Sequence, residues 1–338
     1  LTNKLSIKKL QVKVAAGSQM KAMIHLFYLL LLLPCLGENW KHLVSALEQT
    51  KSASILEFGL RDNQGNSMDC LEVFQINESK ELLGLYHSRV DGVFSVHLAA
   101  TKNLAEWTRV STLETHASQA TIHQLENGSF LIALEKDAPG SCWIKLLFYP
   151  NLESLKKAKS ERVIDLPRSL APTAEGTPNV ESVEIKNENI LDSTISLRFH
   201  FYQNAIVDQL AQGTLSQFKT WNCKPNQSLN DQFKSLGCYG NLGDRDPFEW
   251  QGEKFYLQEA QKKINEWGSW GIYLCDRTGS PLSKIEIKTP KKAQAFANPN
   301  ISKITLPDSK QPSLVLTAFI HSSGTHRSEA GQFLMVLP

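Results

Sequence analysis

The chain has 338 residues, 41% hydrophobic and 21% charged, which is apolar enough to bury a large core and excludes a disordered protein. Its 36 basic and 34 acidic residues leave a net charge of +2, with lysine and arginine scattered along the sequence. That distribution gives no electrostatic footprint for nucleic acid, so this partner class is set aside.

Residues 1–37 read as an upstream segment followed by a secretory signal over 20–37. Met20 to Gly37 carries Lys21, an apolar stretch from Ile24 to Leu33, then Pro34 and the small residues Cys35 and Gly37. The apolar run is too short to span a bilayer comfortably, and the pattern predicts initiation at Met20 or Met23 and cleavage after Gly37. The mature chain is expected to be secreted, free of the membrane and monomeric.

An oxidising compartment changes the reading of the cysteines that follow, Cys70, Cys142, Cys223, Cys238 and Cys275. Cys223 and Cys238 bracket a polar loop that a disulfide would restrain, and they are the favoured pair; two free buried thiols are the alternative. No Cys/His spacing supports zinc. Asn77, Asn127, Asn226 and Asn300 each open an Asn-x-Ser sequon, a weak signal for surface glycans on a glycoprotein.

Residues 38–53 are expected to form a short helix and linker, with Leu43, Val44 and Leu47 on one face. Beyond them helical periodicity vanishes. Short apolar strands follow, separated by Asn, Asp, Gly, Ser and Pro clusters, which argues for an all-β protein. The strands come in five groups. Each contains one strongly β-like run, starting at Leu82, Phe130, Ile195, Phe255 and Leu314, about 50 to 65 residues apart. A shorter strand entered through a small or polar corner precedes each run, and most groups add a further strand after it. Gln251-Gly252 reads as the tight turn of one such hairpin.

This plan predicts a five-bladed β-propeller over residues 54–338. The fifth group lacks an outer strand, and Ile55 to Leu60 could supply it and close the ring. A β-sandwich with insertions is the alternative, but it needs no corner motif at a fixed place in each repeat.

In a propeller the entry corners of the innermost strands gather at one mouth of the central channel. Here they supply Asp69, Gln119, Glu175, Asn179, Asp246 and Asn300. His87, Glu135, His200 and Glu259 lie at corresponding places in the next strands, where alternation could turn them to the same mouth. A polar cluster from five repeats is costly to desolvate unless it binds something polar.

The five-blade plan, the Arg245-Asp246-Pro247 corner and the Ala174-Glu175-Gly176 corner resemble the five-bladed β-propeller glycoside hydrolases, the arabinanase, xylosidase and invertase group. The resemblance implies a secreted enzyme cleaving an oligo- or polysaccharide. It implies Glu175 as general acid, Asp69 as base or nucleophile, and Asp246 with Arg245 holding the sugar and adjusting the acid. Gln119, Asn179, Glu135, His200, Glu259, Trp270 and Asn300 would contact substrate, with tryptophan faces stacking on sugar rings. No cofactor is expected, although an axial histidine could help hold a channel ion such as calcium, as in some relatives. The second-blade corner, Ser118-Gln119-Ala120, departs from the pattern by lacking an aspartate, and no Asn-Asp-Pro-Asn occurs in the first group. A non-catalytic carbohydrate-binding or protein-interaction propeller is therefore the alternative.

Overall fold

The computed structural model describes residues 39–77, 80–187, 189–204, 206–306 and 312–337; the side chains of Asn39, Asp244 and Arg245 are not among those described. The signal segment and Cys35 lie outside these residues. A helix, α1 (Asn39–Glu48), precedes the β domain, with Leu43 and Leu47 one turn apart on one face. A short strand follows, β1 (Ile55–Phe58).

Five four-stranded antiparallel sheets then succeed one another, each a blade of a five-bladed β-propeller. The first is β2 (Asp69–Gln75), β3 (Leu82–Val90), β4 (Val93–Thr101) and β5 (Trp107–Thr115). The second is β6 (Ala117–Gln124), β7 (Phe130–Ala138), β8 (Ser141–Tyr149) and β9 (Arg162–Asp165), with α2 (Leu152–Lys156) between its outer strands. The third is β10 (Glu175–Ile185), β11 (Ser193–Gln203), β12 (Val207–Ser216) and β13 (Thr220–Pro225), and α3 (Gln227–Ser235) leads out of it. The fourth is β14 (Leu242–Trp250), β15 (Glu253–Gln261), β16 (Trp270–Cys275) and β17 (Pro281–Ile285). The fifth is β18 (Phe296–Thr305), β19 (Pro312–Ile320) and β20 (Gly331–Leu337), completed by β1. Ile55 pairs with Val336 and Phe58 with Phe333, so β1 closes the ring as its sequence predicts.

Turn chemistry fixes the hairpins. Gln251 and Gly252 have φ of 51° and 82° and join β14 to β15 through the Trp250–Glu253 pair. Asp91 and Gly92, at 50° and 84°, do the same between β3 and β4. Two positive φ angles in succession match the twist of the flanking strands, and a glycine at the second position carries no steric cost. The core sits between blades. Leu85, Val96, Ile132 and Leu147 pack between the first and second, while Met68, Leu71, Val315 and Val336 pack between the fifth and first.

Every inner strand carries the same irregularity near its start. Register shifts separate Asp69 from Glu72, Ser118 from Thr121, Gly176 from Asn179, Leu242 from Arg245 and Ala297 from Asn300. In four of the five a non-glycine residue at the bulge takes a left-handed conformation: Cys70, Gln119, Thr177 and Asn298, with φ between 45° and 53°. Such a conformation costs on the order of 1 kcal/mol or more, so the surroundings must hold it. In three of the four the preceding blade does so. The amides of Gln119 and Thr177 donate to His87 Nδ1 at 3.3 Å and Glu135 Oε2 at 3.1 Å, and that of Asn298 donates to Glu259 Oε2.

Two expectations fail. Cys223 and Cys238 are free thiols, because their places in the fold keep them apart. Cys223 lies on β13 beside the core shared by the second and third blades, whereas Cys238 Sγ lies 3.3 Å from Tyr273 Oη in the core at the fourth. Asn300 is 3% exposed, so a glycan there has no room in the folded chain; Asn77 and Asn127 are exposed. Among the described residues no helix is long and apolar enough to cross a membrane.

Candidate functional site

The bulges set which side chains reach the mouth of the channel. Asp69 pairs with His87, Ser118 with Glu135 and Gly176 with His200, so the second-strand residues singled out from the sequence share one register with the strand entries. A cavity of about 300 Å³ opens there. It is lined by Asp69, His87, Gln119, His200, Asp208, Glu259, Trp267, Trp270 and His321, among others. Larger clefts of about 390 and 500 Å³ lie around Arg198 and Lys224 on the third blade and along the inner strands beside Asp246. Neither contains Asp69, Asp208 or Glu259.

Three carboxylates face the mouth cavity. Asp69 opens β2, and its Oδ1 accepts a hydrogen bond from Ser67 Oγ. Burial pushes its carboxyl above the ordinary value, opposed by that hydrogen bond and by the charge of Arg61. Asp208 is the second residue of β12, with its Oδ1 3.6 Å from His200 Nε2. Its backbone amide is held by Asn241 Oδ1 at 3.0 Å. Glu259, on β15, reaches over Gly243, where a Cβ would come within 2.0 Å of its Oε1.

Ring nitrogens complete the lining. His87 is buried, its pKa is depressed to about 4 by desolvation, and its Nδ1 accepts the Gln119 amide, so the ring is neutral with its proton on Nε2. His200 Nδ1, His321 Nδ1 and the indole Nε1 of Trp270 are buried and have no protein partner. An indole N–H can only donate, and leaving it unmet in a buried place costs about 1–3 kcal/mol. At the rim Trp267 is 55% exposed and stacks on His321 with centroids 4.8 Å apart and planes 16° from parallel.

Of the residues expected from the sequence, Asp69, Gln119, His200, Glu259 and Trp270 line this cavity. The Gln119 side chain is already engaged, since its Oε1 accepts from Cys70 Sγ at 2.8 Å. Glu135 stands just behind, beside His200. Burial raises its pKa, and it also hydrogen-bonds Cys142.

Glu175 does not reach the cavity. It is 2% exposed, and its Oε1 accepts the amides of Ser169, Leu170 and Ala171, which ties down the loop before β10. Asn179, Asp246 and Asn300 stand one layer further along the channel, because three residues of each bulge span two partner positions. Their counterparts in the first two blades are Glu72 and Thr121, not Asp69 and Gln119. Asp246 bonds the side chain of Asn179, and its Oδ2 accepts the Ile301 amide at 2.6 Å; burial raises its pKa to about 7. Arg245 pairs through its backbone with Gln258; its side chain is outside the described set. Asp208 and His321 are the residues sequence reasoning missed. The signal for Asp208 is the hairpin between β11 and β12, which brings it back beside His200. Among the described residues no group of three or more His, Cys, Asp or Glu side chains comes together to hold a metal ion.

No protein-family model matches the chain, and no curated protein matches it. Solved structures do. One described as a glycoside hydrolase superposes with a TM-score of 0.58 at 9% identity, covering 85% of this chain and 93% of its own. An exo-1,5-alpha-L-arabinanase from a bovine ruminal metagenomic library gives 0.50 at 10% identity, with 80% and 92% covered. An exo-beta-1,3-galactanase from Clostridium thermocellum gives 0.51 at 11% identity over 84% of this chain, which spans 62% of that protein. At these identities the likeness is one of fold, and this chain has the five-bladed β-propeller fold that these glycoside hydrolases share.

Proposed function

We propose that the mouth cavity binds a carbohydrate and cleaves a glycosidic bond. The observation that carries the reading is the meeting of Asp69, Asp208 and Glu259 with three unpartnered ring nitrogens and an exposed tryptophan in one cavity. Glycoside hydrolysis requires a carboxylic acid to protonate the leaving oxygen and a carboxylate to activate water. Asp69 suits the first role, because burial holds its proton to higher pH than an ordinary aspartate. Asp208, beside His200 at the edge of the cavity, suits the second. The acid passes its proton to the glycosidic oxygen as the carbon–oxygen bond breaks, and the base takes one from the incoming water. Glu259, held by the Asn298 amide, is placed to orient hydroxyl groups. The signal-like segment over 20–37 supports secretion.

A second reading has its own observation. Glu135, Glu175 and Glu259 all accept backbone amides, which is a structural task, and a propeller that binds glycan without cleaving it needs only the cavity and its rings.

The test is release of sugar from aryl glycosides, α-1,5-arabinan and β-1,3-galactan by the secreted protein, with binding measured in parallel on wild type, Asp69→Asn and Asp208→Asn. Hydrolysis lost in both variants, with binding kept, supports the enzyme. Binding without release establishes the second reading. Neither binding nor release overturns the carbohydrate assignment.

A further inference from the structure

The rim of the mouth cavity has a composition that a site for a single sugar does not need. Nine large apolar side chains are exposed among the described residues, and Ile206, Tyr239, Ile264 and Trp267 are four of them. Each belongs to a segment that also lines the cavity. Ile206 comes two residues before Asp208, Tyr239 two before Asn241, and Ile264 three before Trp267. Hydrogen bonds join these segments. Tyr239 donates to Lys262 O at 3.0 Å, Gly240 to Gln261 O at 2.9 Å, and the Asp208 amide to Asn241 Oδ1. These four place exposed apolar surface on segments of the third and fourth blades that border the cavity.

We infer that this rim is a platform for a neutral oligosaccharide, which enters end first with its terminal unit in the cavity and its next units along the exposed rings. The inference rests on the carbohydrate reading and specifies the substrate as a chain. The cavity lies at the small end of the roughly 300–1,000 Å³ range for ligand sites, with room for about one or two sugar rings. Further units must lie outside it. Trp267 lies flat on His321, which fixes the indole as a rigid surface and spares a ligand the cost of ordering it. Sugar rings present flat faces of C–H groups to such a surface and hydroxyl edges to donors. Trp270, 8% exposed with its N–H unmet, and His321 Nδ1 sit where the platform descends into the cavity. A protein partner would cover the apolar rim equally well, but it would leave the Trp270 N–H and the His321 ring nitrogen unmet unless it also inserted polar groups. A sugar unit supplies acceptors at that depth as a matter of course.

The experiment is calorimetric titration with α-1,5-arabino- and β-1,3-galacto-oligosaccharides of one to four units against wild type, Trp267→Ala, Tyr239→Ala and Trp270→Phe, each checked for its native melting transition. Affinity is expected to climb about tenfold from one unit to three in the wild type, the size of one aromatic stacking contact. Trp267→Ala should collapse that ratio toward one, and Tyr239→Ala should reduce it for the longest chains. Trp270→Phe keeps the ring and removes the donor, so it should weaken every length by the same factor and leave the ratio intact. Wild-type affinity that does not depend on length, or a climb that survives Trp267→Ala, overturns the platform while leaving the cavity as a sugar site. Failure of every length to bind overturns the carbohydrate reading and the platform with it.

Discussion

The carboxylate of Glu135 fills the space in front of Gly176: a Cβ on that glycine would lie 1.8 Å from Glu135 Oε2. The contact joins the second strand of one blade to the inner strand of the next, and the same carboxylate holds the Thr177 amide. Gly176→Ala must therefore displace a buried, hydrogen-bonded carboxylate. It is expected to lower stability by roughly 2–4 kcal/mol, read as a shifted denaturation midpoint with an unchanged m-value. Glu135→Ala in the same background should relieve the clash and recover part of the loss. An alanine at 176 that melts like wild type would mean the carboxylate has somewhere else to go.

Asp246 makes stability depend on pH. Its folded pKa, raised by burial to about 7, lies above the ordinary 3.8. Below about pH 4 the group is neutral folded and unfolded, and its contribution is fully present; as pH rises toward 7 only the unfolded carboxyl ionises, and stability is lost at up to about 1.4 kcal/mol per unit. Asp246→Asn cannot ionise and still offers an oxygen to the Ile301 amide. The variant minus wild-type difference in unfolding free energy should therefore grow from pH 4 to 7 and level off above. A flat difference would show that Asp246 ionises as easily in the folded chain as outside it.

Glu175 and Asp69 should separate stability from activity. Glu175→Ala strips the acceptor from three loop amides, one of them buried, and should cost roughly 2–3 kcal/mol of stability with little change in kcat of the folded fraction. Asp69→Asn should leave the melting temperature close to wild type and lower any hydrolysis roughly 100- to 10,000-fold. The reverse pattern would return the acid role to Glu175.

The seam of the ring should be a weak point. β1 is only four residues long and pairs solely with β20. Leu56→Pro removes a donor and clashes in the strand, so the melting temperature should fall by roughly 5 °C or more. Hydrogen exchange should quicken along 331–337 before it does in the first four blades.

Much of this fold is written in the spacing of apolar runs. All five second strands start within two residues of the predicted positions, and Ile55 stands where the open blade needed a strand. The polar corners are harder to read because the bulge breaks alternation: a left-handed Cys70 or Asn298 advances the chain by one residue without advancing its partner. Asp69 and Asp246 therefore look equivalent in sequence and occupy different layers. The place of Glu175 is hidden for a different reason. Its neighbours Ser169 to Ala171 have nothing in their sequence that announces three amides in need of an acceptor. Asp208 belongs to a third strand, whose contact with the mouth depends on how its hairpin folds back.

The strand that closes the fifth blade also has a consequence for biosynthesis. Ser54 and Val336, bonded across the seam, are 282 positions apart. A ribosome releases the N-terminal partner long before the C-terminal one exists, so β1 must wait unpaired, with an open sheet edge, while four blades assemble beside it. Closing so long a loop is slow, and the chain is open to capture by other nascent chains until its last strand emerges.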